Sequence, residues 1–298
     1  MPARFLFTLI ALIILLGTNL NVAFSQVRIS QDTGKSKPFI LGITEEVDSR
    51  ILSERRILNI YLPNGYYDKA TARYPVIYLL DGGKDEDFIH IVGLVQFNSF
   101  PWIDRLPNSI VVGIANTDRQ RDFTFPTSIA SEKKNYPTTG GSANFISFLE
   151  KELQPFIERN FRTQNAKTII GESLGGLLAT EILIKRPGLF NRYILVSPSL
   201  WWDNGSLLDL IPGKMAPGPA QISDIYIGVG KEGLTPGPTP RVMEADAKKL
   251  ADKLRASKRL NAHVYFDFLP SETHATVMHQ AVFNAFRLIY PQPVQAGN

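Results

Sequence analysis

The 298-residue chain contains no cysteine. That excludes a disulfide scaffold and leaves no thiol for a lipoprotein anchor, so the protein needs no oxidation to fold. Histidine is scarce, at four residues, which confines any imidazole chemistry to His90, His263, His274 or His279. A basic stripe or arginine-rich run is missing, and the formal charge of +4 is a small excess of 32 basic over 28 acidic residues. Nucleic-acid binding gains no support from such a distribution. There is no internal repeat and no linker long enough to divide the chain into two domains.

An apolar run of membrane-spanning length is also lacking. A spanning helix needs about 20 apolar residues, whereas the run "FLFTLIALIILL" covers Phe5 to Leu16 and is followed by Asn19 and Asn21. Arg4 ahead of that run, with Ala23 and Ser25 ahead of Gln26, is the layout of an export signal. The expectation is a signal peptide over residues 1–25, a secreted or periplasmic protein and no stable membrane insertion after cleavage. An uncleaved anchor is the rival. Residues 26–298 then form one domain, with Gln26 to Pro38 a polar lead-in.

Within that domain "FILGITEEV" and "RILNIYLP" alternate apolar and polar residues, which predicts an antiparallel start. The later runs "VIYLLDGG", "SIVVGIAN", "KTIIGES", "RYILVSPS", "DIYIGVGK" and "AHVYFDFLP" are short and almost continuously apolar. Strands of that kind are covered on both faces, as in a parallel sheet. Helical patterns lie between several of them, and one, "ANFISFLEKELQPFIERNF", contains Pro155 as an expected kink. Alternating strand and helix predict an α/β fold with a mostly parallel central sheet and helices on both faces. Three long loops, Ala115–Ser142, Ser199–Gln221 and Lys231–Pro240, each follow the C-terminal end of a strand, where open α/β sheets bind ligands.

"GESLGG", residues 171–176, fits G-x-S-x-G. Three fixed positions of this kind recur by chance in roughly one chain in ten of this length, so its weight comes from context. A predicted strand precedes it and a buried helix follows, as a nucleophile elbow requires. Gly171 and Gly175 relieve Cβ clashes in so tight a turn. The N–H of Leu174, at the start of the helix, points to where an oxyanion forms. Ser173 is therefore the candidate nucleophile.

A serine hydroxyl needs a base. His274 follows the last strand in "PSETHATV", just before the last helix, the place of the base in the chain order Ser, acid, His. His90 and His263 read as structural. His279 lies five residues beyond His274, which is not the spacing of a zinc pair. The acid should follow the preceding strand, where Glu232 stands; Glu244 and Asp246 are fallbacks, and a Ser-His dyad stays open. "GVGKEG" is literally G-x-G-x-x-G, but the prolines of "LTPGPTP" follow it where a dinucleotide fingerprint needs a helix. In "VIYLLDGGKDEDF" the N–H of Gly83 is the candidate second oxyanion donor, and the acidic residues 85–87 read as a solvated loop.

These segments resemble the esterase family that includes esterase D (S-formylglutathione hydrolase), enterochelin-type siderophore esterases and mycolyltransferases. The resemblance runs from about Ile51 to Ile289 and rests on "YPVIYLLDGG", "TDRQRDFTFP", "GGSANFISFLEKELQPFIERNFRT", "GESLGGLLA", "FNRYILVSPSLWW" and "ETHATV". It is nearest the exported bacterial branch related to siderophore trilactone esterases. It implies an α/β-hydrolase fold, with Ser173 as nucleophile, His274 as base, Glu232 as acid, and Leu174 and Gly83 as oxyanion donors. It further implies that Trp201 and Trp202 form an aromatic pair near the pocket, and that Arg121, beside Asp122, receives a negatively charged substrate. Glu172 departs from the histidine usual before the serine. The expected activity is hydrolysis of a small-molecule carboxylic ester without cofactor or metal. The rivals are an acyltransferase with the same triad and a non-catalytic binding protein on a hydrolase scaffold. Oligomeric state is left open.

Overall fold

The apolar runs form the strands they predict, because the apolar residues of β5 and β6 alternate between two cores. A computed structural model of the protein describes residues 37–211, 213, 222–237, 239–258 and 260–292. The expected signal segment and its boundary at residue 25 lie outside the described residues. Residues 1–40 and 41–298 are separate compact units. Of the first, residues 37–40 are described, and they are neither helix nor strand. Among the described residues no helix is long and apolar enough to cross a membrane.

Among the described residues the second unit holds one eight-stranded sheet, in the order β1-β2-β4-β3-β5-β6-β7-β8. Its strands are β1 (Ile43–Ser49), β2 (Glu54–Tyr61), β3 (Tyr74–Leu79), β4 (Ile110–Ile114), β5 (Thr163–Glu172), β6 (Arg192–Val196), β7 (Asp224–Gly230) and β8 (His263–Leu269). β2 runs antiparallel to both β1 and β4; every other pair is parallel. The register Ile169–Tyr193–Ile225–Val264 carries one row of side chains across four strands.

Side chains alternate between the two faces of a strand, and the cores follow that period. Ile169, Tyr193 and Leu195 join a core with α4 (Ser142–Phe148), α6 (Leu174–Lys185) and α8 (Met243–Arg255). Ile170, Ile194 and Val196 join a second core with α1 (Phe88–Asn98) and α9 (Val277–Ile289). The result is a three-layer α/β sandwich, with helices on both faces as expected.

The kink expected near Pro155 is a π turn, Leu149–Leu153, between α4 and α5 (Gln154–Asn160). Pro155 has no N–H to offer the carbonyl of Lys151, and the helix widens by one residue just before it. The first long loop contains two short helices, α2 (Arg119–Phe123) and α3 (Ala130–Asn135). The second contains α7 (Trp202–Asp209), whose Asp203, Asn204 and Gly205 are left-handed at φ 49°, 55° and 78°. Residues 212 and 214–221 of that loop, and 238 of the third, lie outside the described residues.

Candidate active site

One residue, Ser173, makes the turn from β5 into α6, with φ 57° and ψ −117°. A non-glycine residue in such a region costs of order 1–3 kcal/mol and persists only when its surroundings over-determine it. Here they do. The N–H of Ser173 donates to the Val196 carbonyl at 3.0 Å, and its own carbonyl accepts from Leu177 and Ser199 at 2.9 and 3.0 Å. A Cβ on Gly171 would stand 2.6 Å from the Gly175 carbonyl carbon, so strand and helix can approach this closely only without one.

The turn lifts the hydroxyl above the C-terminal edge of the sheet. Ser173 Oγ lies 3.1 Å from His274 Nε2, and His274 Nδ1 lies 2.6 Å from Glu232 Oε2. The three residues follow the C-terminal ends of β5, β8 and β7, so sheet topology brings them to one edge. Glu232 Oε1 accepts from the Ser197 hydroxyl and, at 3.2 Å, from the Gly230 N–H. Glu244, a fallback acid in the sequence, instead accepts the N–H groups of Glu232 and Gly233 at 2.8 and 3.1 Å and so braces the turn that presents Glu232. Asp246 is engaged with Arg241.

The electrostatics suit proton transfer from serine to histidine. Burial pushes the Glu232 carboxyl up, but hydrogen bonds from His274 and Ser197 outweigh it and hold the group below its ordinary value. The hydrogen bond to Glu232 raises His274 above its ordinary range against the opposing effect of burial. An imidazolium formed at His274 is thereby stabilised, and the Nδ1–H···O bond fixes Nε2 as the acceptor facing the serine. Leu174 is the first residue of α6, so its N–H is one of the helix donors without an intrahelical partner.

Beside this constellation lies a cavity of about 330 Å³, walled by Tyr136, Trp201, Leu234, Pro236 and Met243 and including Arg119. Three expectations need correction: Arg121 and Trp202 for substrate binding, and Gly83 as an oxyanion donor. Arg121 is not at the cavity: its guanidinium bonds Glu54 and Asp122. Arg119 lines the cavity instead. Two residues apart on a helix, the pair cannot face the same way. Trp201 lines the cavity, but Trp202 is fully buried and donates its indole N–H to the Phe125 carbonyl, a core role. Gly83 is absent from the lining, and its N–H donates to Glu86 Oε2 at 2.7 Å instead of facing the cavity.

Nothing local in the sequence marks Arg119, because its partner is remote in the chain. Its Nε and Nη2 grip Asp81 at 2.6 and 3.0 Å, and Nη2 also reaches the Glu172 carbonyl. Asp81 follows β3 in a left-handed conformation, φ 53°, and also accepts from Asn116. Glu172 sits in the middle of this cluster. Burial and the nearby Asp87 and Asp81 push its carboxyl up to about 7, against the opposing pull of His274 and Arg119.

The chain is also similar to known proteins. Residues 49–281 match the family described as Putative esterase. The chain is 31% identical over 188 residues to the ferri-bacillibactin esterase BesA of Bacillus subtilis, covering 59% of this chain and 65% of that protein. It thus spans a little under two thirds of that relative. Among solved structures, an IroE-like serine hydrolase from Shewanella oneidensis superimposes with a TM-score of 0.71 at 32% identity, covering 84% of this chain and 80% of the other. The BES protein from Bacillus cereus superimposes at 0.69 with 26% identity, over 88% of this chain and all of that one.

Proposed function

The chain belongs to the Putative esterase family, and on that premise we propose that it is a serine carboxylic-ester hydrolase whose acyl-enzyme forms on Ser173. The observation that carries this reading is the continuous relay of Ser173, His274 and Glu232, with hydrogen bonds of 3.1 and 2.6 Å on a strained elbow beside a cavity. In the first step Ser173 Oγ attacks the ester carbonyl carbon while its proton passes to His274 Nε2. The resulting oxyanion is held by the Leu174 N–H and the positive end of α6, in the field of the Arg119 guanidinium. The carbon–alcohol bond then breaks, and the departing alkoxide takes the proton from His274. Water, deprotonated by the same nitrogen, attacks the acyl carbon and releases the acid. Glu232 stays ionised throughout.

For the substrate we propose a siderophore-type ester with an aromatic, acidic acyl group. Tyr136 and Trp201 offer flat apolar walls, and Arg119 offers a cation at the same mouth. The volume suits one arm of such a molecule. The name of the Bacillus subtilis relative, an esterase of ferri-bacillibactin, agrees with this chemistry. Export through the segment at residues 1–25 belongs to the same proposal.

The test is product analysis by mass spectrometry after incubation with a catecholate triester, with and without ferric ion, and with a simple aryl acetate, using Ser173→Ala as control. Cleavage of the triester by the parent and not by the variant is the expected result. Cleavage of the aryl acetate alone would overturn the substrate, and inertness of the folded parent toward all three would overturn the activity.

A further inference from the structure

Two histidines that the proposed chemistry does not use meet where α1 packs beside α9. His90 and His279 each occupy the third position of their helix, and their Nδ1 atoms stand 3.3 Å apart. The rings meet edge to edge at these nitrogens, with centroids 5.5 Å apart and planes 28° from parallel. On its other side His90 Nε2 lies 2.9 Å from Asp87 Oδ1. Asp87 is the N-cap of α1, a position where aspartate commonly accepts a backbone N–H, yet its carboxylate makes no capping bond. It is committed to the histidine instead. Because a carboxylate only accepts, His90 Nε2 carries the hydrogen, and the lone pair lies on Nδ1, facing His279.

We propose that His90 and His279 form a binding site for a divalent transition-metal ion of the zinc class, with Asp87 as the positioning residue for His90. Two imidazole nitrogens, each about 2.0–2.1 Å from a tetrahedral ion, stand about 3.3–3.4 Å apart, and the observed separation matches that gap. A carboxylate on the far nitrogen of a ligating histidine is the arrangement that fixes its tautomer and raises its basicity. Among the described residues no group of three or more His, Cys, Asp or Glu side chains could hold a metal, so water fills the remaining positions. Imidazole donors select zinc, copper, nickel or cobalt over calcium and magnesium, which take oxygen ligands.

The test is equilibrium dialysis of the tag-free protein against Zn²⁺, with metal content by elemental analysis, and titration with Co²⁺ followed by its visible absorption. The parent should take up one equivalent of either ion and none of Ca²⁺. His90→Gln and His279→Gln should each weaken uptake at least tenfold, and Asp87→Ala about 10- to 100-fold. His263→Gln and His274→Gln, covering the other two of the four histidines, should leave it unchanged. Both ring edges reach the surface, and circular dichroism melts check that each variant is folded. A parent that takes up no zinc would overturn the proposal and leave the 3.3 Å contact a plain N–H···N hydrogen bond. Full uptake by both His90→Gln and His279→Gln would overturn it equally.

Discussion

Replacing Glu172 by glutamine removes a carboxyl that the fold holds near pKa 7 against an ordinary 4.5. At about 1.4 kcal/mol per pH unit, that displacement is worth about 3 kcal/mol. Its sign follows from proton counting. Between pH 4.5 and 7 the folded chain keeps a proton on Glu172 that the unfolded chain has given up, so stability falls as pH rises through this window. Below 4.5 both states are protonated and nothing is lost; above about 7 both are ionised and the full cost is present. Glu172→Gln should therefore gain about 3 kcal/mol relative to the parent on going from pH 4 to pH 8, whatever fixed packing change it also brings. Urea unfolding of both proteins at the two pH values measures this directly. A stability difference that is the same at pH 4 and pH 8 would show that burial, with Asp87 and Asp81 nearby, does not raise this carboxyl.

The remaining predictions concern the relay and the cavity. Activity needs neutral His274, so it should be lost as pH falls through a pKa above the usual 6.5. Glu232→Gln should move that limb of the kcat/KM profile to lower pH and reduce the rate by as much as about 10⁴-fold, as steady-state kinetics across pH would show. Arg119→Gln should raise KM for anionic acyl esters at least tenfold while Arg121→Gln leaves KM unchanged, since only the first guanidinium reaches the cavity. Asp203→Ala removes the acceptor of bonds from the Ser128 N–H and hydroxyl, 2.7 and 2.8 Å long, and from the Thr127 hydroxyl. It should cost about 1–3 kcal/mol in urea unfolding and raise KM by loosening the turn beside Trp201.

Much of this architecture was legible because the relevant signals are local. Continuous apolar runs report strands covered on two faces, and alternation in the first two segments reports the antiparallel entry. The elbow is legible because its glycines, serine and flanking elements are contiguous, and Glu232 and His274 because each directly follows a strand whose place in the sheet is set by chain order. What escaped depends on direction and on distant partners. Arg119 and Arg121 share a motif, but helical geometry turns them apart and Asp81 claims the first. Trp201 and Trp202 are adjacent in sequence, yet one faces the cavity and the other the core. The N–H of Gly83 is closed off by Glu86, three residues on, a contact that motif matching does not weigh. His90 reads as structural and His279 as out of register for a zinc pair with His274, because 189 positions separate the two residues that meet.

The central claim is that Ser173 is an activated nucleophile, and the most direct measurement is intact mass after treatment with a fluorophosphonate. The account predicts a single adduct, mapped by peptide digestion to Ser173 and absent from an equally folded Ser173→Ala protein. A folded parent that remains unmodified, or that carries its adduct on another residue, would contradict it.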